Sequence, residues 1–211
     1  IASIISNTSA NNGLVSANDI CIDAENVISI SFTGGSTFPS GVSSLVMDDS
    51  SNIYISLNGH GHPNNSPGGG EIRKYDVNLN LIWTRTFSTK SPAKLKFIND
   101  GLFVSGKQGY NSNDYVSRID ISTGSDIWNQ DLSYQYYHSN LLDGNSNYIV
   151  YVTRTNGGYN NAHVHTFDFS NGSYFNTQTN MSNPNSILVN GNTIYITGNS
   201  NGNVHGTLNI S

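Results

Sequence analysis

The chain has 211 residues with a formal net charge of −5; only 11% of residues are charged and one is cysteine. That length is enough to bury a substantial core, and the single Cys21 excludes an intrachain disulfide and any multi-cysteine zinc site. The acidic balance disfavours nucleic acid, which needs a basic surface, and no apolar run reaches the length of a membrane span.

In chain order, residues 18–32 (NDICIDAENVISISF) read as a weak hairpin, with Cys21 a buried packing residue between Ile20 and Ile22. Residues 72–87 (IRKYDVNLNLIWTRTF) repeat the hairpin with Trp83 on its second strand. Residues 115–131 (YVSRIDISTGSDIWNQD) repeat it most clearly, turning at Thr123-Gly124 and carrying Trp128, and residues 164–179 repeat it with Phe175. An apolar residue followed by Asp recurs at Asp23, Asp76, Asp120 and Asp168, with Asn209 in the same place of a last copy. The period is roughly forty to fifty residues, the range of repeat architectures. Each recurring Asp precedes a turn, where its side chain bonds local backbone, so these carboxylates read as folding residues.

Between the hairpins, residues 44–57, 94–105, 140–152 and 186–197 each read strand, tight turn, strand, with Asp100-Gly101, Asp143-Gly144 and Asn190-Gly191 as the turn dipeptides. Each repeat thus has four antiparallel strands, A to D, with a Gly-rich loop between B and C. An all-β propeller blade has this composition. Stacking such blades face to face would wedge Trp83, Trp128 and Phe175 between neighbours and cover most sheet edges. Complete blades are expected at about 42–90, 92–135 and 138–182, with partial ones at 1–36 and 185–211. Five blades in one domain, the first and last incomplete, is the first reading. A four-bladed ring closed by residues 27–33, or a piece of a larger ring, stays open.

The runs TFSTKSPAKLKFINDGLFVSG and ISISFTGGSTFPSGVSSLVMDDSSNIYISLNG, together with the Trp83 and Trp128 hairpins, resemble bacterial β-propeller repeats of the SBBP type and, more distantly, quinoprotein-like (PQQ-type) repeats. The chain departs from that pattern at Phe175 and at Ile28, where a Trp is expected. The resemblance implies a propeller and an extracellular or cell-surface setting. It carries over no cofactor site, because no matching residue constellation is present.

His60 and His62 share one Gly-rich loop, and His163 and His165 lie two apart on a strand, which puts both imidazoles on one face. Two ligands do not make a metal site, so cross-strand hydrogen bonding or a surface position is the expectation. Asp48, Asp49 and Asn52 lack calcium-loop spacing. No nucleophile elbow or phosphate-binding loop is present. Eight of the nine basic residues lie between Arg73 and Arg118, which suggests either differently solvated faces or complementary contact with a partner or another copy.

The strongest binding signal is repeated: Gly109-Tyr110-Asn111 and Gly158-Tyr159-Asn160 occupy equivalent B–C loops of adjacent repeats, and B–C loops gather on one face of a ring. Tyr offers an apolar face with a hydroxyl, and Asn both donates and accepts. Tyr110, Asn111, Tyr159 and Asn160, joined by His62, are the candidate ligand-binding residues. The sequence therefore points to a non-catalytic extracellular or cell-surface propeller, a structural or protein-binding module of a larger assembly, with a protein partner or self-association. A lectin-like glycan module and a quinoprotein-like enzyme are the alternatives.

Overall fold

The computed structural model describes residues 41–58, 69–108, 113–132, 136–155, 162–179, 181, 183–199 and 203–209. Alternating apolar residues and turn-forming Asn, Asp and Gly resolve there into fifteen strands. The first sheet is β1 (Gly41–Met47), β2 (Ile53–Asn58), β3 (Glu71–Tyr75) and β4 (Leu81–Thr86). The second is β5 (Lys90–Ile98), β6 (Gly101–Gln108), β7 (Asp114–Ile119) and β8 (Asp126–Asp131). The third is β9 (Tyr136–Gly144), β10 (Tyr148–Thr155), β11 (Ala162–Asp168) and β12 (Tyr174–Gln178). The last has β13 (Asn183–Asn190), β14 (Thr193–Asn199) and β15 (Asn203–Asn209). Every sheet is an antiparallel meander in sequence order.

Because neighbouring side chains on a strand point to opposite faces, each inner sheet serves two interfaces. Leu102 and Val104 of β6 and Tyr115 and Ile119 of β7 pack with Tyr54 and Ile72 of the first sheet. Phe103 and Val116, one residue out of phase, pack with Ile149, Tyr151 and Phe167 of the third. Val150, Val152 and Val164 then meet Val189, Ile194 and Ile196 of the last. The first strand of each sheet lies against the first two strands of the sheet before it, which is the blade-on-blade stacking of a β-propeller.

A polar clamp crosses two of these interfaces at the turn end of the sheets. Trp83 Nε1 (β4) donates to the Ile121 carbonyl at 3.1 Å, and Lys74 Nζ (β3) donates to the same oxygen at 2.9 Å. In the next sheet Trp128 Nε1 donates to the Phe169 carbonyl at 3.1 Å, and the Arg118 guanidinium reaches that oxygen at 3.3 Å while lying 4.3 Å from the Phe169 ring centre. A carbonyl has two lone pairs, so one oxygen accepts both donors. Each Trp is the cross-strand partner of its cation, beside a shift in strand register.

The accepting turns are prepared by the recurring Asp, as expected. Asp120 Oδ1 accepts from the backbone N–H groups of Ser122 and Thr123, and Asp168 Oδ1 accepts from those of Ser170 and Asn171. Gly124 and Gly172 follow at φ 78° and 72°. The indole of the preceding sheet lies against each glycine: a Cβ on Gly172 would fall 2.6 Å from Trp128 Cδ2.

Phe175 departs from the expected wedge. It pairs with Thr166 in unbroken register and is 44% exposed. Phe has no N–H to offer a carbonyl, Thr166 brings no cation, and the register shift is missing too, so the clamp is lost as a unit. Two turns also differ from expectation. Asp143-Gly144 ends β9, and the reversal falls on Asn145, whose N–H bonds the Tyr148 carbonyl at 2.8 Å. Asn99 and Asp100, not Gly101, take the left-handed conformation at φ 43° and 61°. Asn and Asp tolerate it because their short side chains bond locally.

These contacts set a paired prediction. Gly172→Ala meets both an unfavourable φ and the indole, and is expected to lower unfolding free energy by about 2–4 kcal/mol. Gly191→Ala, at φ 57° with nothing within 4 Å of its Cβ, meets only the backbone cost of about 1 kcal/mol. Urea denaturation of both variants checks the difference.

Candidate functional site

The B–C loops depart from strand ends that the structure places side by side. β6 ends at Gln108 and β7 starts at Asp114; β10 ends at Thr155 and β11 starts at Ala162. Tyr110, Asn111, Tyr159, Asn160 and His62 lie outside the described residues, as do His60, Asp23 and Cys21. The geometry of the site is therefore that of its base.

A buried polar seam forms this base. Asp114 shares the parity of Val116 and so faces the third sheet. Its Oδ2 accepts the Tyr151 hydroxyl at 3.2 Å, joining the start of β7 to the middle of β10. Tyr151 is the cross-strand partner of His165, and His165 Nε2 shares a 3.0 Å hydrogen bond with Thr153 Oγ1. His163 stands on the same face, 6.3 Å from His165 between ring centres, and its Nδ1 accepts from Asn176 Nδ2 at 3.2 Å. Of the two expectations for this histidine pair, bonding across strands or a surface position, the structure shows the bonding.

Burial dominates the electrostatics. Asp114 and Tyr151 are both 0% exposed. Loss of water pushes the Asp114 carboxyl up to about 7, against the opposing pull of the Lys107 charge and the Tyr151 hydroxyl. Burial, with the adjacent carboxylate, raises the Tyr151 phenol well above its usual range. Burial, then the neighbouring His163, lowers His165 to about 3, which keeps its imidazole neutral. With both side chains shut away from solvent, Asp114 and Tyr151 tie together the strands from which the two loops depart. Asp114 was legible only as an Asp opening an apolar strand after a Gly/Asn loop; its parity with Val116 is the signal that marks it as inward.

Asp48 is filled by its own turn. Oδ1 accepts from the N–H groups of Ser50 and Asn52, and Oδ2 from Asn52 Nδ2 and the Tyr54 hydroxyl. Among the described residues, no group of three or more His, Cys, Asp or Glu is placed to hold a metal ion. At the opposite, turn end of the third sheet, Ser146, Asn147, Tyr148, Asp168, Phe169 and Ser170 line an open depression of about 290 Å³.

Four cations of the basic segment act between sheets. Lys74 and Arg118 complete the clamps, Arg85 bonds the Gly124 carbonyl and Asp126 Oδ2, and Lys96 pairs with Asp143 Oδ1 at 3.1 Å. Two others stay within their sheet: Arg73 pairs with Glu71 on the same strand, and Lys90 bonds Asn129 and Asp131 of its own sheet.

Stacked four-stranded meanders of this kind make the chain a β-propeller-type repeat protein. No family model matches it, and no curated protein matches it. Among solved structures it is similar to the Dos1 propeller, with a TM-score of 0.49 and 11% identity over 75% of this chain and 42% of that one, so it spans less than half that structure's length.

The seam predicts a pH signature. Asp114 binds its proton more tightly folded than unfolded, so its contribution to stability is full below pH 3.8 and is lost as pH rises towards 7. His165 does the reverse: its contribution is full above pH 6.5 and is lost as pH falls towards 3. Each slope is at most about 1.4 kcal/mol per pH unit, and the two oppose one another over most of that window. Asp114→Asn should therefore steepen the loss of stability below pH 6.5, and His165→Gln should make stability fall as pH rises from 4 to 7. Denaturation midpoints across pH 4–8 read both; two unchanged profiles would reject this account.

Proposed function

We propose that this chain is a non-catalytic binding module, carried outside the cell or on its surface as part of a larger protein or assembly, and that it engages a protein partner through the B–C loop face. The observation that carries this reading is the Asp114–Tyr151 hydrogen bond, which ties the base of one loop to the sheet bearing the next. Two loops of like sequence, each with a Gly-Tyr-Asn core, thereby rise from bases held in fixed relation. Preorganised loops on a rigid scaffold bind at lower entropic cost than independent ones. Propeller architecture serves many activities, so the ligand must be read from the loops. A glycan is the second reading, favoured by paired Tyr and Asn side chains that combine a flat apolar surface with amide donors and acceptors.

The full chain applied to extracted cell-surface proteins and to a glycan array, with and without calcium, separates the two classes. Tyr110→Ala with Tyr159→Ala is expected to weaken binding at least tenfold while leaving thermal unfolding unchanged. Binding that survives both substitutions would remove the loops from the account. Absence of any ligand in either screen would overturn the proposal.

A further inference from the structure

Lys90 opens β5, and its side chain reaches across the face of its own sheet to β8. Its Nζ donates to Asn129 Oδ1 at 2.7 Å and to Asp131 Oδ1 at 2.7 Å. Asn129 and Asp131 lie two apart on β8, opposite Ser117 and Tyr115 of β7, so all four share one face. Asp131 Oδ1 also accepts from Asn129 Nδ2 at 3.1 Å. Ser117 Oγ donates to Asn129 Oδ1 at 2.7 Å, and the buried Tyr115 ring has its centre 4.6 Å from the amine. An ion pair needs only Lys90 and Asp131; here a carboxamide is held against both. The cluster is not strand chemistry repeated from sheet to sheet. Counting from the clamp Trp, Thr84 and Thr86 of β4 take the places of Asn129 and Asp131.

Each group has a place in an amide exchange. The amine is a nucleophile once it gives up a proton, and it already touches the carbonyl oxygen whose carbon it would attack. Ser117 stands where negative charge would gather on that oxygen. One carboxylate oxygen, Asp131 Oδ1, contacts both the attacking and the departing nitrogen, which is the geometry of a proton shuttle. We propose that Lys90 and Asn129 join through an intramolecular isopeptide bond, with Asp131 carrying the protons and ammonia released. Asp131 takes a proton from Lys90, and the free amine adds to Asn129 Cγ. The carboxyl passes its proton to Nδ2, and the Cγ–Nδ2 bond breaks. The spare proton on the joined nitrogen returns through Asp131 and leaves with the ammonia as ammonium. The exchange consumes no other reactant, and holding amine and amide in contact replaces a chance encounter. With one cysteine the chain cannot form an intrachain disulfide. This bond would close residues 90–129 into a ring, tie the first strand of the second sheet to its last, and restrict the unfolded chain as a disulfide does.

Intact mass and peptide fragmentation of the full chain, before and after incubation at mildly alkaline pH, test it. Wild type should lose the mass of one ammonia and yield a branched fragment joining the segments of Lys90 and Asn129. Cyclisation of an Asn-Gly pair also expels ammonia, so the branched fragment is the deciding signal. Lys90→Arg keeps a cation beside Asp131 and should abolish that fragment. Asp131→Asn and Ser117→Ala should each slow its formation at least tenfold, while Asp131→Glu, which keeps a carboxylate, should form it faster than Asp131→Asn. Thermal unfolding of each variant separates loss of the bond from loss of the fold. The wild-type fragment stands as a test by itself, whatever the variants do. A folded wild type that yields no branched fragment holds a bare ion pair, and that result overturns the proposal; so does a bond formed at the wild-type rate in Asp131→Asn. None of these outcomes bears on the Tyr110 and Tyr159 assay.

Discussion

One backbone carbonyl, shared by an indole N–H and a cation from the sheet before it, sets the geometry on which the rest of the chain depends. The Ile121 carbonyl takes Trp83 and Lys74, and the Phe169 carbonyl takes Trp128 and Arg118. Each bond adds about 0.5–1.5 kcal/mol net, while each fully buried Val, Leu, Ile or Phe contributes about 1.5–3 kcal/mol. Apolar burial therefore supplies most of the stability. It is non-directional, however, and would tolerate one sheet sliding over another. Hydrogen bonds to a single fixed oxygen do not, so the clamps set where the first three sheets stop against one another.

The clamp acts at one end of the sheets, and the Asp114–Tyr151 joint acts farther towards the other, across the same interface as the Trp128 clamp. Two polar attachments on opposite sides of the apolar cluster of Phe103, Val116, Ile149 and Phe167 limit rotation as well as sliding. The loop bases inherit that restraint. The buried carboxyl at the joint has a desolvation cost, which the proton it holds near neutrality reduces.

Much of this was legible in the residues, for identifiable reasons. Hairpins announce themselves through local alternation and turn chemistry, so the Asp76, Asp120 and Asp168 turns and the four-strand repeat could be read directly. What lay beyond reach were the contacts between sheets, where partners sit some forty residues apart. The basic residues looked like a patch because nothing local says that Lys74 and Arg85 end on the next sheet. Trp83 and Trp128 were visible as repeats, yet the need for a cation and a register shift beside them was not, and so Phe175 was grouped with them. Asp143-Gly144 misled because the dipeptide suits a turn in isolation, whereas Asn145, two residues later, closes it with its own side chain. The candidate Tyr and Asn loop residues lie outside the described positions; their footing, Asp114, was hidden among turn carboxylates.

The change at Phe175 grades the chain along its length. The first three sheets are joined by clamps, while the third and last are joined by the Val150, Val164 and Ile194 cluster and by polar bonds that include Val189 N–H to Asp143 and Asn145 Nδ2 to the Gly191 carbonyl. In stacked arrays each unit is stabilised mainly by its nearest neighbours. Among the described sheets the last is accordingly the one whose local opening needs the least free energy, and fraying would begin there before the clamped pairs open.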